Sequence, residues 1–89
     1  MELLITKLSK DKFEITVNAD QITKHVVSVT DQMLLNLTNN KISKEELLNF
    51  SFNVLLEREP NTSIVPKFDI IVISKYFPEY ISKVENYCS

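Results

Sequence analysis

Glycine is missing from the chain altogether. That excludes every glycine-rich phosphate loop and the dinucleotide-binding fingerprint, whose tight turns need a residue without a Cβ. Cysteine occurs once, at Cys88, so no disulfide can close within the chain and nothing points to an oxidising compartment. The near-terminal position of Cys88 also makes it a poor site for a poised thiolate. Histidine occurs once, at His25, among valines. A lone strand histidine is ordinarily a packed or half-exposed side chain, because nucleophilic catalysis needs a nucleophile and a base side by side. One His and one Cys far apart in sequence form no metal-ligand pattern. No residue here asks for a catalytic role, a metal or a cofactor.

Long apolar runs are missing too. Nothing approaches the roughly 18 residues that a bilayer span requires. The opening MELLITKLSKD has no basic region ahead of an apolar stretch, so no secretion signal is expected. The expectation is one small cytoplasmic domain covering residues 1–89. The 44% hydrophobic and 25% charged content suits a globular chain. Net charge is −2, with +1 over residues 1–44 and −3 over residues 45–89. That balance disfavours nucleic acid and anionic membranes as partners.

Arginine is almost absent: Lys outnumbers it nine to one. Ile, Lys and Asn supply 26 of 89 residues, as AT-rich coding would give. The one arginine, Arg58, stands in LLEREP between two glutamates. Its planar fork can grip a carboxylate or several carbonyls in a way that Lys cannot. In the last turn of a helix it also suits the macrodipole. It is expected to clamp the loop that follows, through that loop's carbonyls or through Asp69. A chance survivor on a solvated helix end is the plain alternative.

What is present reads as strands, then helices. Glu2–Leu8 is apolar-rich. Phe13, Ile15 and Val17 alternate with Glu14 and Thr16. In ITKHVVSV, His25, Val27 and Val29 fall on one side and Lys24, Val26 and Ser28 on the other. Polar turns at 9–12 and 18–21 separate these three segments, which predicts an antiparallel meander over residues 1–30. It would leave an edge free on Glu2–Leu8 or Ile22–Val29. From Thr30 the period changes. Thr30 or Asp31 can cap a short helix, DQMLLNLT, closed by Asn39-Asn40. Ser43-Lys44-Glu45-Glu46 is a capping box that opens a longer helix from Lys44 to Arg58. Pro60 stops that helix. Ile64 and Val65 are expected to return to the core, and Asp69 to cap a short helix over IIVISKYF. Pro78 then opens a last helix. The fold class is α+β: a three-stranded antiparallel sheet followed by three to four helices.

Ser43 to Tyr80, with its LLEREP, FD and YFPEY strings, resembles a family of short bacterial proteins without an assigned activity. The resemblance implies a bacterial origin and no chemistry. A weaker resemblance is to ribbon-helix-helix DNA-binding domains, over KHVVSVTDQMLLNLTNNKISKEELLNFSFNVLLE. It implies a dimeric regulator in which Lys24 and Ser28 face the major groove and the helix start at Lys44 meets a phosphate. The preferred expectation is a non-catalytic interaction or accessory module. Its partner would be another protein or a second copy. Arg58, Tyr76, Phe77 and Tyr80 form the candidate patch, since tyrosine is enriched at interfaces.

Overall fold

The computed structural model describes residues 2–89. Strands β1 (Glu2–Lys7), β2 (Lys12–Asn18) and β3 (Ile22–Ser28) come first. Helices α1 (Asp31–Thr38) and α2 (Lys44–Arg58) follow, then a short strand β4 (Lys67–Asp69) and helices α3 (Ile73–Tyr76) and α4 (Tyr80–Cys88). Single 3₁₀ turns at Asn61–Ser63 and Ile70–Val72 flank β4.

The sheet order is β1-β2-β3-β4. The first three strands are antiparallel, and β4 joins β3 in parallel, with Val26, Val27 and Ser28 opposite Lys67, Phe68 and Asp69. The expected three-stranded antiparallel sheet is therefore a four-stranded mixed one. The division at residue 30 into a sheet part and a helical part fails at β4. Three residues are too few to show an alternation. Asp69, expected as a helix cap, is drawn into β4 instead and its side chain makes no capping bond. The IIVISKYF segment becomes a 3₁₀ turn followed by the single turn of α3.

Alternation in β2 and β3 does set the faces. Phe13, Ile15, Val17, His25, Val27 and Val29 are buried on one side, where all the core helices pack. The other face carries the row Leu4–Thr16–Lys24. β3 lies inside the sheet, so of the two strands expected to offer a free edge only β1 is at one, and β4 forms the other.

The caps are local and appear where their residues stand. Thr30 Oγ1 accepts from the Met33 amide at 3.1 Å and starts α1. Asn39 and Asn40 take φ of 55° and 60° and end it, the left-handed role that glycine would otherwise fill. Ser43 Oγ accepts from the Glu46 amide at 3.0 Å and starts α2. The reciprocal half of the capping box does not form; the Glu46 carboxylate instead accepts the Tyr87 hydroxyl at 2.8 Å. α2 runs through the middle of the molecule with Leu47, Leu48, Ser51 and Phe52 fully buried. That explains its broad apolar surface. It ends at Arg58, and Glu59 is already extended ahead of Pro60, at φ −137° and ψ 145°. α4 packs on α1 and closes the core with Tyr80 and Val84. Among the described residues no helix is long and apolar enough to cross a membrane.

Candidate functional site

The segment after α2 is held against β3 by a chain of polar contacts. Asn61, buried, donates from Nδ2 to the Gln21 carbonyl at 2.8 Å and to Thr23 Oγ1 at 2.9 Å. Thr23 Oγ1 lies 2.9 Å from His25 Nε2, and His25 Nδ1 lies 3.0 Å from the Val65 carbonyl. A carbonyl only accepts, so Nδ1 carries a hydrogen; in the neutral ring Nε2 then takes the Thr23 hydroxyl hydrogen. The Val26 amide donates to the Pro66 carbonyl at 2.8 Å, directly ahead of β4. His25 is thus a structural clasp between strand and loop. It is 2% exposed, with both ring nitrogens engaged and its ring 5.6 Å from that of Phe52.

This clasp fixes one wall of an open apolar cleft of about 340 Å³. Leu55 and Ile73 form part of its buried lining. Ile64, Val65 and Phe68 come from the pinned segment, and Val72, Tyr76 and Phe77 from the α3 region. Glu59 and Ser63 supply its polar groups. Val65 is 44% exposed and Tyr76 68% exposed. Val65 was expected in the core. Its carbonyl is spent on His25, and its side chain lines the cleft beside Ile64.

Two of the four candidate patch residues, Tyr76 and Phe77, meet at this cleft. Arg58 is beside them. Its guanidinium forms an ion pair with Glu79 and lies 5.2 Å from the centre of the Phe77 ring. The expected clamp on the loop or on Asp69 is therefore corrected: Arg58 ties the end of α2 to the residue that precedes α4. Tyr80 is the second correction. It is fully buried, with its hydroxyl 2.5 Å from Ser51 Oγ, so it is core and not surface. Ser51 donates to the Leu47 carbonyl at 2.6 Å, which leaves Tyr80 as the donor to Ser51. Burial pushes the Tyr80 phenol up to about 12. Tyr87 is on another surface, stacked on Phe50 with centroids 4.3 Å apart.

The DNA-contact candidates do not converge. Lys24 is exposed and Ser28 half-buried on the outer sheet face. The Lys44 ammonium is held between Asp31 Oδ1 at 2.8 Å and Asp11 Oδ1 at 3.0 Å, with its side chain 12% exposed. Hydrogen bonds from Lys44 and then Lys10 hold the Asp31 carboxyl down at about 2. An intermolecular ribbon needs an open β3, and β2 and β4 occupy its two sides.

His25 does not line the cleft, whose polar side chains are those of Glu59, Ser63 and Tyr76. Among the described residues no group of three or more His, Cys, Asp or Glu is arranged to hold a metal ion. What the site offers is a concave apolar surface with an aromatic wall. Ile64, Val65 and Phe68 were missing from the sequence-based site, as was the anchoring role of Asn61. The one signal for them was the pair of prolines, Pro60 and Pro66, bracketing a loop of fixed direction. No family model, curated protein or solved structure matches this chain.

Proposed function

We propose that this chain is a non-catalytic interaction module that holds a large apolar side chain of a protein partner in the cleft beside α3. The observation that carries it is the cleft of about 340 Å³ walled by Val65, Phe68, Tyr76 and Phe77. Tyr76 supplies contact area at low entropic cost, and its hydroxyl can bond at the rim. The clasp through His25 and Asn61 and the Arg58–Glu79 pair hold the walls in place before binding, which lowers the cost of association. No observation favours the ribbon-helix-helix reading, since Lys44 is engaged by two carboxylates.

The test is selection of binding peptides from a random displayed library, followed by amide-shift mapping on the labelled protein. The selected peptides are expected to share an aromatic or long aliphatic anchor. The shifts should concentrate at 55, 64–68 and 72–77, and Val65→Glu should abolish binding while leaving the fold intact. Peptides that map elsewhere, or that bind Val65→Glu equally well, would overturn the proposal.

A further inference from the structure

The two edges of the sheet are built differently. β4 is three residues long and is preceded by Pro66, a blunt edge. β1 is six residues long, pairs with β2 through Lys7↔Phe13 without a bulge, and among the described residues no strand pairs with its other side. It contains no proline, and its centre is Leu3-Leu4-Ile5. Leu4 is 57% exposed on the outer face. Leu3 and Ile5 are only partly buried on the core face, at the end of the strand order. The charges of the strand, Glu2 and Lys7, stand at its two ends, and no proline, bulge or charge interrupts the central Leu3-Leu4-Ile5.

We infer that β1 pairs with β1 of a second copy, antiparallel about a two-fold axis at Leu4, joining two sheets into one of eight strands. The sequence of the strand selects the partner. Opposed residues of an antiparallel pair share a face, and an axis perpendicular to the sheet keeps each copy's outer residues on the same side. Only registers that oppose residues of equal parity are then allowed. Centred on Leu4, the register sets Leu4 against Leu4, Leu3 against Ile5 and Glu2 against Thr6. Every central pair is apolar and no like charges face each other. Centring on Ile5 would set Leu3 against Lys7. Centring on Leu3 would set Leu4 against Glu2. The self-pairing also covers the two core residues that the edge leaves half-buried. One strand is a small interface, so the dimer is a reversible one.

The test uses sedimentation of the whole chain from about 10 µM to about 1 mM, the range that brackets a weak interface. A monomer–dimer equilibrium is expected. Leu4→Lys sets like charges opposite each other at an exposed site and should leave a folded monomer at every concentration. In a Cys88→Ser background, Leu4→Cys should cross-link under mild oxidation, since directly opposed Cα atoms fall within disulfide range. Thr16→Cys, on the same face one strand further in, would lie about 14 Å from its counterpart and should not cross-link. A monomer throughout the range would overturn the inference, as would a dimer unaffected by Leu4→Lys or equal cross-linking of the two cysteines. None of these readouts touches the cleft, so the two proposals fail separately.

Discussion

The His25 ring and the Val65 carbonyl, forty residues apart in sequence, meet at 3.0 Å. That contact does three things. It satisfies one ring nitrogen of a histidine buried among valines, it brings the chain after α2 alongside β3, and it turns the Val65 side chain to the cleft. Among the described residues no buried side-chain nitrogen or oxygen lacks a partner, so the polar chain through Asn61, Thr23 and His25 is complete. Complete networks of this kind specify one arrangement of the elements that they join.

His25→Phe preserves an aromatic ring near Phe52 but strands the Val65 carbonyl and takes the acceptor from the Thr23 hydroxyl hydrogen, Thr23 Oγ1 still accepting from Asn61. It should cost about 1–2 kcal/mol in urea unfolding. Amide signals from 61–68 should broaden as the loop loosens. An unchanged midpoint with sharp loop signals would show that backbone pairing of β4 alone holds the segment.

Ser43→Ala should cost about 1 kcal/mol, because its hydroxyl is the only half of the capping box that forms. The loss should be read as a shift in urea midpoint at constant slope. A midpoint equal to the parent's would mean that packing of Leu47 and Leu48 fixes the helix start without the cap.

Arg58→Lys should change stability by no more than about 0.5 kcal/mol. Both members of the Arg58–Glu79 pair are partly exposed, and a lysine retains the charge that faces Glu79 and the Phe77 ring. Amide shifts over 59–69 should stay in place. A loss of more than about 2 kcal/mol would show a need for the planar fork that the ion pair does not account for.

Tyr80 gives an alkaline limb. Burial raises its phenol from an ordinary 10.0 to about 12. A pKa raised in the folded state contributes stability that is complete below pH 10 and is lost as pH rises through 12. The loss is on the order of 2 kcal/mol. Tyr80→Phe should remove most of this limb and cost about 1 kcal/mol at neutral pH, with Ser51 still bonded to the Leu47 carbonyl. An alkaline limb of the same size in the variant would place its origin elsewhere.

Asp31 gives an acid limb of the opposite sign. Hydrogen bonds from Lys44 and Lys10, with their charges, lower its carboxyl from 3.8 to about 2. A depressed pKa contributes stability that is present above the unfolded value and is lost as pH falls through the folded one, here between 3.8 and about 2. Asp31→Asn should flatten the fall in urea midpoint across that window, and added salt should do the same to the parent. The same steep fall in both chains would remove Asp31 from the account.

Local signals alone determined much of this protein. Thr30, Asn39, Ser43 and Pro60 mark helix ends, because capping and proline sterics act within about four residues. The alternation in β2 and β3 assigned their faces, since a period of two is visible in a single strand. Tertiary structure alone decided the pairing of β4 with β3, the burial of Tyr80 against Ser51, the choice of Glu79 by Arg58 and the apolar cleft. β4 is too short to carry a pattern, and its place is set by contacts some forty residues distant. Tyr76 and Tyr80 look alike along the chain, yet one is 68% exposed and the other closes the core. They are four residues apart, but the bend at Phe77-Pro78 separates two helices. The angle of that bend is set by what packs beneath it.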